Sequence, residues 1–366
     1  MNCHPERWAQ SGVEGFEAEN FINYLFFIMY KKLFFAAAVA ATFAGCTKNE
    51  VNPVETPDLE ISYQAIVNPK TKAGEPKFNE GHVFQSFAYY LTADKTWGAN
   101  AADATTFIDG ATISYNPTLG QWKDAVNSYY WPKNGKLTFL SWTLDKNDMT
   151  LPEGASAKCD KTKGVQITGF NLAASQDNLM VADVAADKTA NENQYNYTGV
   201  PTLFRHKLCK VKCVVAAGAD NPVGTTISVK SLAFGGVAQK GDYVQFPVDP
   251  VKEWTLTEDS RTDVNFTVPS TEIAPKGSVE SDVLFFIPQT FADTQLVTVT
   301  YEVTDNAGIT TGYTQTIALN NTEIFGTAGW NMNKFYTLTI TIGLQEILWD
   351  PAEEEWVDEN KGWTVA

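Results

Sequence analysis

The stretch KFYTLTITI (334–342) sets Tyr336, Leu338, Ile340 and Ile342 against Phe335, Thr337, Thr339 and Thr341, and the same period of two recurs along most of the chain. Successive side chains of an extended strand point to opposite faces, so a chain written this way folds as half-buried β-sheet. QLVTVTYEV (295–303) opposes Val297, Val299, Tyr301 and Val303 to Thr298, Thr300 and Glu302. DLEISYQAIV (58–67) puts Leu59, Ile61, Tyr63, Ala65 and Val67 on one face. Further strands are predicted over 82–92, 107–115, 136–144, 164–171, 226–235, 263–268 and 281–287, and Asn134-Gly135 between apolar runs predicts a hairpin turn. Beyond residue 46 no helical pattern runs longer than two turns. Many short strands separated by polar turns define an all-β chain of sandwich type.

The run ADKTANENQYNYTGVP (186–201) is polar and aperiodic, and ends in Gly199 and Pro201. It predicts a linker or long surface loop. One β-sandwich is therefore expected over 46–198 and a second over 199–343. The remainder, 344–366, is an acidic tail with Trp349, Trp356 and Trp363, in which Pro351 and Glu353–Glu355 interrupt alternation.

Upstream, Lys31 and Lys32 precede a largely apolar stretch of twelve residues, Leu33 to Ala44, and then Gly45 and Cys46. Twelve residues fall short of the roughly 20 that cross a bilayer as a helix, but suit the apolar core of a secretion signal. The order charge, apolar run, small residues, cysteine resembles a bacterial lipobox, with Phe43 where that motif usually has Leu. It implies lipidation of Cys46 and removal of everything before it. Residues 1–28 open polar and acidic, without the positive start of an export signal. They read as a misassigned upstream extension, with 29–45 as the signal peptide.

The whole chain carries 27 basic and 43 acidic residues, a net charge of −16. Removing residues 1–45 takes away three basic and four acidic residues and leaves −15. Such a surface argues against nucleic acid as partner, which demands counter-charge to phosphate. It equally disfavours docking on anionic lipid, so membrane attachment would rest on the lipid anchor, for which more than one acyl chain suffices. After Cys46 the cysteines are Cys159, Cys209 and Cys213, so at least one thiol is free. Cys209 and Cys213, about 13 Å apart along a strand, cannot pair.

Motifs of catalysis are missing from the sequence. Only His82 and His206 follow Cys46, and there is no G-x-S-x-G, H-E-x-x-H, P-loop or G-x-G-x-x-G. His206, Cys209 and Cys213 do not make a metal site, because alternation puts both cysteines with Val211 and Val215 and turns His206 to the other face. The acidic tail lacks the spacing and turn glycine of a calcium loop. No cofactor, no metal and no enzymatic activity are expected. SYYWP (128–132) offers Tyr130 and Trp131 as rings on which a sugar could stack, although such clusters in a β-sandwich are more often core or edge packing.

Several phrases together resemble the fimbrillin (Mfa-like) family of lipoprotein-derived pilus subunits and adhesins. They are TKAG (71–74), FQSFAYYL (84–91), YYWP to LTFLSW (129–142), DNLMVAD (177–183), LFRHKLCKVKCVV (203–215), LFFIPQ (284–289) and GWNMNKFYTLTITI (329–342). The resemblance implies two tandem transthyretin-like β-sandwiches, lipid-anchored at the outer membrane or cell surface. It implies assembly with other pilus subunits by strand addition: a protease cuts after the first strand, and a neighbour's strand fills the groove. Here LEISYQAIV would be the removed strand, and Lys72 is the candidate processing site or simply an exposed loop lysine. Between Arg7 and Arg205 the chain has no arginine, so an Arg-specific protease could not cut there. The tail is the candidate donor strand. The alternative implied is a stand-alone outer-membrane lipoprotein that binds a glycan, on the host or bacterial surface, through Tyr130 and Trp131.

Overall fold

A computed structural model describes residues 59–67, 77–194, 197–247, 252–322, 329–343 and 347–356. These lie in the second of two units, Met1–Pro57 and Asp58–Ala366. The strands of the first part are β1 Tyr63–Val67, β2 Val83–Leu91, β3 Thr105–Asn116, β4 Gln121–Asp124, β5 Lys136–Thr143, β6 Ser156–Asp160, β7 Gly164–Asn171, β8 Met180–Ala182, β9 Ala185–Lys188, β10 Glu192–Gln194 and β11 Tyr197–His206. Then come β12 Cys209–Ala217, β13 Thr226–Ala238, β14 Lys240–Val244, β15 Trp254–Leu256, β16 Arg261–Asn265, β17 Ser278–Phe286, β18 Gln289–Thr290, β19 Leu296–Thr304, β20 Thr310–Ala318, β21 Gly329–Trp330, β22 Lys334–Ile342 and β23 Ile347–Glu355. Helical structure is brief: α1 (Trp97–Asn100) is a single turn.

Burial follows the sequence period. In β12, Cys209, Val211, Cys213, Val215 and Ala217 are buried and the residues between them are not. Where a strand is covered on both faces the alternation disappears, as in β5, which is buried from Leu137 to Thr143.

Hydrogen bonding runs β1-β4-β3-β2-β5-β8-β11, and β11 pairs back onto β1, so seven strands close into a ring. Closure removes the free edges that a sheet of this length would otherwise expose. The ring encloses an aromatic core of Tyr63, Phe78, Phe84, Trp122, Phe139 and Phe204. Its other face, through Phe87, Tyr89, Leu140 and Trp142, packs against Ile167, Phe170, Tyr243 and Trp254 of the sheet β15-β14-β7-β6. A third core joins the sheets β17-β12-β22-β23 and β16-β13-β19-β20 around Val211, Val215, Phe234, Val299 and Ile340.

Four expectations change here. The run 186–201 is not a linker: it carries the end of β9, all of β10 and the start of β11. Its polarity reflects backbone already bonded in ladders and side chains that clamp other strands. The boundary expected at 199 falls within β11, which belongs to the ring, and β14 and β15 from beyond it complete the sheet begun by β6 and β7. Asn134-Gly135 is a bend leading into β5 and not a hairpin turn, since β5 pairs with β2. Gly135 has φ +88° there, and the Tyr90 ring lies where a Cβ would stand. Finally, β23 runs straight through Pro351 and the glutamates, antiparallel to β22 with Pro351 opposite Leu338. An edge strand tolerates proline because the missing N–H need not enter a ladder.

Candidate functional site: the seat of the first strand

A strand with one wet face alternates in burial, yet all five residues of β1 are buried. The cause is its position. Along one side β1 runs parallel to β11, from Tyr63 opposite Val200 to Val67 opposite Phe204. On the other side Tyr63 meets Trp122 of β4, Ile66 bridges Lys77, and Phe78 N donates to the Ala65 carbonyl at 3.4 Å.

Ile61, Tyr63, Ala65 and Val67 all enter the ring core. The Tyr63 ring stands edge-on to Phe84 at 5.5 Å and to Phe139 at 5.8 Å. Phe78, Phe84, Trp122 and Phe204 complete the wall, with centroids 5.1–6.0 Å apart. Burial pushes the Tyr63 phenol well above its ordinary range. Each large side chain seated this way contributes roughly 1.5–3 kcal/mol. The opposite face of β1 is polar only at Gln64, whose Nε2 donates to the Glu192 carbonyl at 2.6 Å.

The lead into β1 is clamped. Ile61 N donates to the Tyr129 carbonyl at 2.7 Å, Trp131 N to the Leu59 carbonyl at 3.0 Å, and Val200 N to the Ser62 carbonyl at 2.7 Å. Asn191 sits at the centre. Its Oδ1 accepts from Ser62 N at 3.3 Å and from Trp131 Nε1 at 2.9 Å, while its Nδ2 donates to the Glu60 carbonyl at 2.9 Å. Lys123 pairs with Glu60 at 2.6 Å and holds that carboxyl below its ordinary value. Gly199, with φ +153°, lets β11 approach so closely that a Cβ would stand 2.5 Å from Ser62 C and Tyr63 N.

The residues singled out from sequence fall as follows. Cys46 and Lys72 lie outside the described residues; Lys72 belongs to the stretch 68–76 that joins Val67 to Lys77. Trp131 is 8 % exposed, with its ring against Phe139 at 5.7 Å and its indole N–H spent on Asn191. Tyr130, 46 % exposed, is the one of the pair that offers a surface. Cys209 and Cys213 lie in the third core as free thiols, and burial raises both above the ordinary cysteine range. His206 instead stacks on Trp356, with ring centroids 3.4 Å apart and planes 6° from parallel. Phe285 covers Trp356 at 5.4 Å, and Lys210 Nζ lies 4.5 Å from the centre of its ring. Among the described residues no cluster of three or more His, Cys, Asp or Glu could hold a metal ion.

Asn191 and Gly199 are the residues of the β1 seat whose part in it sequence reasoning missed. Gly199 carried a signal, a glycine two residues before a proline, which reads as a turn when taken alone. Asn191 carried none: one polar residue in a polar run gives no hint that three groups from distant segments converge on it.

The chain is mostly β, and its first strand is seated between β11 and β4 in the ring. Residues 47–356 match the family described as fimbrillin-like, and the chain belongs to that family. It is a fimbrial or adhesion protein of that family and not an enzyme. The fold is similar to that of a fimbrial protein from Bacteroides vulgatus, at 17 % identity and a TM-score of 0.57, covering 81 % of this chain and 99 % of the other. A protein assigned to cell adhesion from Bacteroides uniformis aligns at 15 % identity over 81 % and 99 % of the two chains, with a TM-score of 0.47. The tip fimbrial protein Mfa3 of Porphyromonas gingivalis aligns at 6 % identity over 82 % and 100 %, with a TM-score of 0.36. Curated protein sequences give no match.

Proposed function

We propose that the protein is a lipid-anchored subunit of a fimbria at the cell surface, joined to its neighbours by exchange of the strand in the β1 seat. The observation that carries this is the double-sided burial of β1 in a ring that β1 itself closes. Taking β1 out opens a slot between β11 and β4 with backbone groups unpaired and pockets for Ile61, Tyr63, Ala65 and Val67 vacant. Such a slot takes a strand of matching alternation from another subunit, with main-chain bonds giving affinity and the pockets setting register. The stretch 68–76, with Lys72 at its middle, is where a protease would free β1. We read the ring with its covering sheet, and the two four-stranded sheets behind it, as transthyretin-like β-sandwiches in tandem. Cys46 is the lipidation site, and the partners are other pilus subunits, the membrane through the anchor, and a glycan or protein on a neighbouring surface.

Mass and N-terminus of the protein taken unboiled from native membranes test the reading. A start at Ala73 supports strand removal and polymerisation. A lipidated start at Cys46 with β1 retained makes it the anchoring or stand-alone lipoprotein of the family. An unlipidated start at Met1 overturns the export and anchor assignments together.

A further inference from the structure

Among the described residues, the outer strands of the four-stranded sheets are protected in the ways natural proteins protect edges, with one exception. On β23 the protection is Pro351, which lacks an N–H, and the exposed Glu353. On β17 it is Glu280 and Asp282, with Asp282 N already bonded to the Thr267 carbonyl. Lys158 and Asp160 guard β6, Arg261 and Asp263 guard β16, and β15 is three residues long. By contrast β20 has nine residues, TTGYTQTIA, without a charge or a proline, and Thr310 to Thr316 are exposed. Charge is absent from the whole run 306–321, in a chain of net charge −16.

The ladder between β19 and β20 shows which groups are open. Asp305 N bonds the Ile309 carbonyl and Leu319 N bonds the Gln295 carbonyl, so the odd-numbered residues of β20 bond inward to β19. Antiparallel strands alternate bonded and non-bonded pairs. Thr310, Gly312, Thr314, Thr316 and Ala318 therefore direct their N–H and C=O groups away from the sheet. These five are symmetric about Thr314.

We infer that β20 is a self-association edge, pairing antiparallel with β20 of a second copy about a two-fold axis at Thr314. Thr314 then lies opposite Thr314, Gly312 opposite Thr316, and Thr310 opposite Ala318, and every outward backbone group finds a partner. Charge selects a second copy as the occupant. Two chains of net charge −16 repel across most of their surfaces, but here each presents a neutral strand, and Glu302 beside it is already paired with Lys230 at 2.8 Å. Tyr313, stacked on Tyr301 with centroids 5.4 Å apart, lies opposite Gln315 of the second copy and adds a ring to the contact. One strand pair is a small interface, so the dimer is weak in solution and strengthened where many copies are held together. The contact is separate from the β1 seat and stands whether or not strand exchange occurs there.

The test uses the full chain purified in detergent and oxidised gently, with the unsubstituted chain as background for its own cysteines. Residues opposed in a bonded antiparallel pair have Cα atoms about 5.5 Å apart, within disulfide reach. Thr314→Cys should cross-link two copies. Thr311→Cys, whose counterpart lies about 20 Å away along the paired strands, should stay at background. Thr314→Lys and Thr314→Glu should each weaken dimerisation about tenfold in sedimentation, and mixing the two should restore it. Equal cross-linking at 311 and 314, none at 314, or a mixture no stronger than its components would overturn the proposal.

Discussion

β1 and β23 begin and end the described ladders, and they are held in opposite ways. β1 has five residues, bonded on both sides and buried on both faces, inside a closed ring. β23 has nine residues and one neighbour, β22, with Ala352 and Glu353 exposed. Length would favour β23, but a ladder exchanges bonds to water for bonds to protein at little net gain. Side-chain burial adds more, and β1 seats Tyr63, Ile66 and Val67 almost completely buried. Just past the end of β23, Trp356 is buried against His206 and Phe285 and adds a point attachment. On the proposed reading, β1 leaves its seat only after a cut and a replacement.

The largest effect is expected at Tyr63. Tyr63→Ala vacates the ring core and should cost about 3–5 kcal/mol in denaturant unfolding, taking the whole ring with it. Trp356→Ala should cost about 3 kcal/mol, but locally. Hydrogen exchange should speed up over 347–356 while β1 and β11 keep their protection; equal loss in both regions would erase the contrast between the two strands. Asn191→Ala removes the group shared by Ser62, Trp131 and Glu60, and about 1–3 kcal/mol is expected from stranding buried donors. Exchange over 59–63 should report that loss.

The smallest effect is electrostatic. Lys123 holds the Glu60 carboxyl below its ordinary 4.5, so the pair stabilises the folded state above that pH and fails as pH falls through the lower folded value. Glu60 is half-exposed, and the gain is roughly 0.2–1 kcal/mol. Proteolysis of the lead into β1 should rise in acid in the natural chain, and Glu60→Gln should flatten that dependence.

Much of this was written in the sequence. KFYTLTITI is β22 residue for residue, and 164–171 is β7. Both present one clear face to a core, and period two reports that directly. The period places β1 on the right segment but does not show its burial on both faces: the pattern that seats Tyr63, Ala65 and Val67 in a ring would look the same in an ordinary half-wet strand. Gln64 and Ile66, buried on the other side, are what distinguish it, and their burial depends on β11 and on Lys77–Phe78. The run 186–201 failed as a linker for a related reason. Its polar residues bond to backbone far away in sequence, which composition cannot show. Pro351 misled because the rule against proline in strands applies to interior ladders, and β23 is an edge.

Replacing 68–76 by a protease site and cutting it tests the central claim most directly. The cut chain is then incubated with an excess of labelled peptide of sequence LEISYQAIV. If β1 is an exchangeable stave, the cut protein keeps its fold, the peptide enters slowly as the original strand leaves, and a Tyr63→Ala peptide fails to compete. If the cut chain stays folded and no peptide enters even after the original strand has gone, the ring does not need β1, and the seat is not the site of assembly.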